Sequence, residues 1–106
     1  MPGQRFDMNQ LMRQAQEMQA QMARAQEQLA NETVEASAGG GLVTVKATGT
    51  GEITEIKIDP RAIDPDDAEL LEDTVLAAVN EALRSAHALA ESKLGGSLGG
   101  LGLPGL

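Results

Sequence analysis

No cysteine occurs in this 106-residue chain. Disulfides and thiolate chemistry are therefore excluded, and zinc loses its commonest structural ligand. Tryptophan and tyrosine are absent too, and phenylalanine occurs once. Aromatic rings normally contribute the largest buried areas of a small core. Here Ala, Leu, Val, Ile and Met must fill it, and a single small domain buries a low fraction of its surface in any case. Burial shared between two copies would relieve that shortage. No run approaches roughly 18 apolar residues, and Met1–Gln10 shows no basic segment followed by an apolar one. Neither a membrane span nor a signal peptide is expected, which leaves the cytoplasm as the default location.

Positive charge is scarce as well. Eight Lys and Arg face 16 Asp and Glu, a net charge of -8. Evenly spread, that would disfavour nucleic acid, but the spread is uneven. Residues 1–31 hold Asp7, Glu17 and Glu27 against Arg5, Arg13 and Arg24 and sum to zero. Residues 32–58 sum to -2 and residues 59–94 to -6, most of it between Asp59 and Asp73. The first third is electrostatically distinct from the rest.

What is present reads as helix, three strands, helix and tail. From Asp7 to about Asn31, Met8, Leu11, Ala15, Met18, Met22, Ala25 and Leu29 recur at alternating steps of three and four. That is a heptad seam on a helix rich in Gln, Ala, Met, Glu and Arg, with no Gly or Pro to interrupt it. Asp7 suits the N-cap. Thr33–Ala38, Leu42–Thr48 and Glu52–Ile58 are short, rich in β-branched residues and separated by Gly39-Gly40-Gly41 and Gly49-Thr50-Gly51. They predict an antiparallel meander, with Val43, Val45 and Ala47, and likewise Thr54, Ile56 and Ile58, on its buried face. Asp64-Pro65-Asp66-Asp67 predicts the start of a second helix, with Asp64 as N-cap and Pro65 at the first helical position. Ala68, Leu71, Val75, Ala78, Val79, Ala82, Ala86 and Leu89 share its broad apolar face, with Leu76 and Leu83 at the edge. Gly95 is expected to end it. The Gly/Leu-rich stretch 95–106 reads as a disordered tail, and 1–94 as one domain.

The lengths bear on assembly. A helix of about 25 residues is roughly 37 Å long, whereas a strand of about seven spans roughly 23 Å. The first helix should overhang its own sheet by about 14 Å, yet its seam continues to the end. A second copy of the chain is the simplest cover for that overhang; the alternative is a Met-rich stripe that merely packs on the sheet.

Motifs for catalysis are lacking. His87 is the only histidine and reads as an ordinary surface residue. The acids from Asp64 to Asp73 have Glu69 where an EF-hand loop needs glycine. Gly100-Leu101-Gly102-Leu103-Pro104-Gly105 matches a dinucleotide fingerprint in letters only, since no strand and helix flank it. No enzyme activity, cofactor or metal is expected. What remains is a surface. Arg13 and Arg24 fall at outward heptad positions about 16 Å apart, and Arg5 adds charge near the tip.

The segment Asp7-Met8-Asn9-Gln10-Leu11-Met12-Arg13-Gln14-Ala15-Gln16-Glu17-Met18-Gln19 is similar to the YbaB/EbfC family of bacterial nucleoid-associated proteins. So are Val34-Glu35-Ala36-Ser37-Ala38-Gly39-Gly40-Gly41-Leu42-Val43 and the stretch from Gly49 to Pro60, with its Gly-x-Gly-Glu-Ile-x-x-Ile-Lys-Ile-Asp-Pro pattern. Leu70-Leu71-Glu72-Asp73, Ala77-Ala78-Val79-Asn80-Glu81-Ala82 and the Gly/Leu/Pro tail extend the likeness over essentially the whole chain. The resemblance implies an α+β homodimer that joins through its sheet region, with long helices projecting like tweezer arms. It further implies binding to double-stranded DNA, association with the nucleoid, and a role in chromosome organisation or gene regulation; phosphate contacts from the arms would give little sequence preference. Recombination or other nucleoid proteins are implied as further partners. The matching basic positions are Arg13 and Arg24 on the first helix and Arg84 and Lys93 on the second. The alternative expectation, from the net charge and the Met/Gln-rich arm, is a non-enzymatic scaffold that binds other nucleoid proteins.

Overall fold

The computed structural model describes residues 7–99. Helix α1 (Met8–Asn31) starts where Asp7 accepts the Gln10 amide at 3.2 Å, the N-cap its sequence position foretold. No glycine ends it. Glu32 turns to extended backbone (φ -93°, ψ 142°) and its amide closes the last turn on Gln28. The chain enters the sheet at the next residue, so the end of α1 is held close to the start of the first strand.

Strands β1 (Thr33–Ala38), β2 (Val43–Thr48) and β3 (Ile53–Ile58) form an antiparallel sheet in sequence order. The first turn needs its glycines. Gly39, Gly40 and Gly41 all have φ between 65° and 91°, a region that side chains disfavour. Ala36 pairs with Val45, and Val45 with Ile56, so these three share a face. The expected face of β3 needs one correction. The register shifts between Lys46 and Ala47, which pair with Glu55 and Ile53. Thr54 is left as the extra residue of a bulge, its hydroxyl donating to the Lys46 carbonyl at 3.4 Å. Ile53 therefore joins Ile56 and Ile58 on the apolar face in place of Thr54. The opposite face carries Thr33, Glu35, Ser37, Thr44 and the cross-strand pair Lys46–Glu55 at 3.5 Å.

After β3, Asp59 caps a single 3-10 turn, Pro60–Ala62, that the sequence reading passed over. The second long helix begins later than predicted. Asp64 accepts the Asp66 amide within a turn closed by the Asp67 amide on the Asp64 carbonyl. Asp67, not Asp64, is the N-cap of α2 (Ala68–Gly99), accepting the Leu70 amide at 3.2 Å. The segment Asp64–Asp67 satisfies its polar groups locally, and Pro65 serves the turn rather than the helix. At the other end α2 runs past Gly95 to Gly99. Glycine lowers helix stability without forbidding the conformation. The part of the expected tail beyond residue 99 lies outside the described residues.

The core lies between α2 and the sheet. Ala78, Ala82 and Ala86 recur every four residues on α2 and are fully buried against Ala36, Val43, Val45 and Ala47. Methyl side chains on both layers let the helix lie close to the strands. That closeness compensates for small side chains by excluding voids. Predicted face residues Leu71, Val75 and Val79 pack at the margin of this core, whereas Ala68 is exposed.

Helix α2 covers β1 and β2 and leaves β3 largely bare. Ile56 and Ile58, expected to be buried, are 45% and 37% exposed. Helix α1 departs further still from lying along the sheet. Only its last turns touch the body: Leu29 is 1% exposed, and Ala25 is half-buried. The remaining seam residues, Met8, Leu11, Ala15, Met18 and Met22, are exposed. The overhang is thus most of the helix rather than its tip, because α2 occupies the sheet face that α1 was expected to share.

Candidate nucleic-acid interface

A helix of 24 residues extends about 36 Å. Its root is fixed by close approach. Gly49, in the β2–β3 turn, donates its amide to the carbonyls of Leu29 (2.9 Å) and Glu32 (3.0 Å). A Cβ at Gly49 would lie 2.8 Å from Leu29 Cδ2 and 2.9 Å from the Leu29 carbonyl oxygen, so only glycine admits the helix this near. Thr48 supports the same turn. Its hydroxyl lies 2.8 Å from that of Thr50 and accepts the Glu52 amide at 3.2 Å. On the other side, Lys93 of α2 reaches Glu32 at 2.8 Å. Beyond this root α1 stands away from the body as an arm.

The basic residues nominated by the sequence separate into groups. Arg13 and Arg24 are exposed on the arm, and neither guanidinium has an ion pair or hydrogen bond among the described residues. Eleven residues at 100° each place them nearly in line along the face opposite the seam, about 16 Å apart. Arg84, on α2, is held by Glu81 at 2.8 Å and 3.1 Å. Lys93 belongs to the root just described. Arg5 lies outside the described residues. The structure therefore brings Arg13 and Arg24 together on one face and engages Arg84 and Lys93 within the chain.

Charge is segregated along the molecule. Asp59, Asp64, Asp66, Asp67, Glu69, Glu72 and Asp73 lie where β3 ends and α2 begins. That end of the sheet is marked by the Asp59 amide on the Leu42 carbonyl and by Thr74 beside Gly39. The arm leaves from the other end, where Glu32 precedes β1. A six-residue strand separates the two by roughly 20 Å, more than twice the screening length of about 8 Å at physiological salt. The acidic end thus does little to cancel the field at the arginines, and the carboxylates that share their face are Glu17 and Glu27 on the arm itself. Within it, Asp59 grips Arg61 through both carboxylate oxygens at 3.1 Å and 2.9 Å. Those side-chain bonds and the Arg61 amide hold the Asp59 carboxyl at about 2, below its ordinary 3.8.

The sequence reading missed a second surface. Ile58, Leu71, Val75, Leu76 and Val79, with Glu72 among them, line a shallow, mostly apolar groove of about 490 Å³ between the uncovered β3 and the flank of α2. Leu76 at the predicted edge of the α2 face was its one local signal. The groove exists because α2 sits over β1 and β2, which no single element encodes. Elsewhere, a cleft at the arm root includes His87, whose ring lies in open solvent 3.1 Å from Glu91. Among the described residues no three His, Asp or Glu side chains are placed to hold a metal ion, and no helix is long and apolar enough to cross a membrane.

The fold is thus an α+β body with a projecting helix that carries two guanidinia unpaired among the described residues. A sequence model of the YbaB/EbfC DNA-binding family matches residues 4–101. A nucleoid-associated protein of Acetivibrio thermocellus is 55% identical over 99% of this chain and 94% of its own length. Another, from Ruminiclostridium cellulolyticum, is 54% identical over 94% of this chain and 88% of its own. A third, from a Mycobacterium species, is 50% identical over 99% and 98%. The crystal structure of an uncharacterised protein from Helicobacter pylori shares the fold, with a TM-score of 0.73 over 92% of this chain and all of that one, at 23% identity. The chain belongs to the YbaB/EbfC DNA-binding family of nucleoid-associated proteins.

Proposed function

We propose that this protein binds double-stranded DNA as a homodimer in the nucleoid, with little sequence preference, and so takes part in chromosome organisation or gene regulation. The observation that carries the reading is the pair of exposed guanidinia, Arg13 and Arg24, aligned on an arm held away from the acidic end of the body. Aligned cations on a rod suit the phosphate backbone, and phosphate contacts position a protein without reading bases. The dimer forms through the body. The apolar groove beside β3, with Ile56, Ile58 and Leu76 exposed, is a surface that a second body covers well. Two arms then project from one particle, which doubles the number of phosphate contacts.

Replacing both Arg13 and Arg24 with Glu tests the DNA contact. Binding to unrelated duplexes should weaken equally in a gel-shift titration. Retained affinity would remove the arm face from the account. Leu76→Asp tests the body interface, because a charge added in the groove should yield monomers at the lowest concentrations in light scattering. The second reading, a scaffold for other nucleoid or recombination proteins, draws on the same groove and on the net charge of -8. A wild-type protein that leaves DNA unshifted while retaining a nucleoid protein in pull-down would favour it.

A further inference from the structure

The seam of α1 remains unexplained when the dimer is joined at the body. Met8 and Met18 are 58% and 54% exposed, and Leu11 and Met22 are open as well. Only the root of α1 touches its own subunit. Yet the spacing of three and four is that of a helix built to receive another helix. We infer that this seam is an association surface for the α1 arm of a second dimer, and that the two arms pair antiparallel. The inference rests on the body-joined dimer proposed above.

The flanking positions identify the occupant. The heptad rows beside the seam hold Met12, Gln14, Gln19, Gln21, Gln26 and Gln28, without a single charge. Every charged residue within the helix, Arg13, Glu17, Arg24 and Glu27, falls on the two outermost rows. Coiled coils select foreign partners through charges beside the seam, and like charges there repel copies of the same helix. This arm carries neither the attraction that would choose another chain nor the repulsion that would exclude its own. Glutamine amides facing one another can donate and accept in either direction.

Orientation and register follow from size and charge. In a two-fold antiparallel pairing, Met8 lies opposite Ala25, Leu11 opposite Met22, and Ala15 opposite Met18. Two of these three distinct layers match a large side chain to an alanine, which fills the space without voids. This register ends before Leu29, the seam residue already buried in its own root. A parallel pairing would stack Met8 on Met8 and Ala15 on Ala15, and would set two acidic bodies side by side. The antiparallel one sends the bodies to opposite ends and also opposes the helix dipoles favourably. Arg13 and Arg24 face away from the seam, so paired arms keep their guanidinia free for phosphate. Arm pairing would thereby tie together two dimers seated on different stretches of DNA.

The test uses the full-length protein in light scattering over a concentration series, with no DNA present. The wild type should rise from the dimer mass toward twice that value. Met18→Glu should remain at the dimer mass throughout. A wild type that never exceeds the dimer, or a Met18→Glu variant that climbs like the wild type, would overturn arm pairing. A monomeric Met18→Glu variant would also overturn it, by making the seam the primary dimer contact. Leu76→Asp reports separately on the body. If it stays dimeric while carrying Met18→Glu, the body interface itself is wrong. Orientation is read from engineered cysteines in this cysteine-free chain. Mixing Ala15→Cys with Met18→Cys should give the mixed disulfide. Only like-with-like disulfides would mean parallel arms and refute the register.

Discussion

Replacing Arg13 and Arg24 with glutamine removes two charges from each arm and leaves its helix intact, because glutamine and arginine have similar helix propensity. Both side chains are exposed and unpaired among the described residues, so stability should move by no more than about 0.5 kcal/mol. The effect on DNA should be large and of a particular form. A dimer presents four of these guanidinia. If each neutralises one phosphate, they contribute about -3.6 to the slope of log affinity against log salt, at roughly -0.9 per phosphate. Raising salt fourfold, from about 50 to 200 mM, then weakens their contribution about 150-fold. The double variant should bind more weakly at low salt and show a slope shallower by about 3.6. Fluorescence anisotropy with two duplexes of unrelated sequence measures the slope and the preference together. Arg84→Gln is the internal control, since Glu81 already holds that guanidinium, and should change the slope less. A double variant with the wild-type slope would refute the assignment of phosphate contacts to this face.

Other expectations concern the frame that aims the arm. Gly49→Ala places a Cβ 2.8 Å from Leu29 Cδ2 and 2.9 Å from the Leu29 oxygen, and should destabilise the protein by about 1–3 kcal/mol in urea unfolding. An unchanged midpoint would mean that the root tolerates displacement. Ala82→Leu adds bulk where α2 is fully buried in the core shared with the strands and should cost about 1–3 kcal/mol in the same assay. A wild-type midpoint there would contradict close packing of the two layers. Asp59 is held at about 2 by Arg61. Because the folded value is depressed, the stabilisation is present above the ordinary 3.8 and is lost as pH falls through about 2. Arg61→Gln should move the Asp59 carboxyl midpoint in an NMR titration upward toward 3.8, and an unmoved midpoint would remove the ion pair as its cause.

The order of elements was legible because each pattern is complete within its own segment. Asp7 before an uninterrupted helical run marks a cap, and Val43, Val45 and Ala47 alternate as a half-buried strand must. The alanines at 78, 82 and 86 fall on one side of a helix, and the triple glycine at 39–41 marks a turn of positive φ. Errors arose where several local solutions compete. Asp64 and Asp67 are both competent caps, and only the turn closed between them decides that Asp67 is used. Alternation along β3 puts Thr54, not Ile53, on the face of Ile56 and Ile58, and only the bulge formed in pairing with β2 reverses that. Arg13, Arg24, Arg84 and Lys93 look equivalent as letters. Glu81 stands three residues before Arg84 on the same helix, a local pair, whereas Glu32 reaches Lys93 only because the fold brings the ends of α1 and α2 together.

Sequence by itself determined the helix, meander and helix, the heptad seam, and the concentration of acid between Asp59 and Asp73. These follow from periodicity and from charges counted along the chain. Tertiary structure decided that α2 takes the sheet face over β1 and β2, that β3 and the arm seam are left uncovered, and that the acids gather at the end remote from the arm. Those outcomes depend on how nearly two surfaces can approach. The methyl groups of α2 meeting the small residues of β1 and β2, and the missing side chain of Gly49 beneath Leu29, set that distance. Each is a relation between segments far apart in the chain, which no local pattern contains.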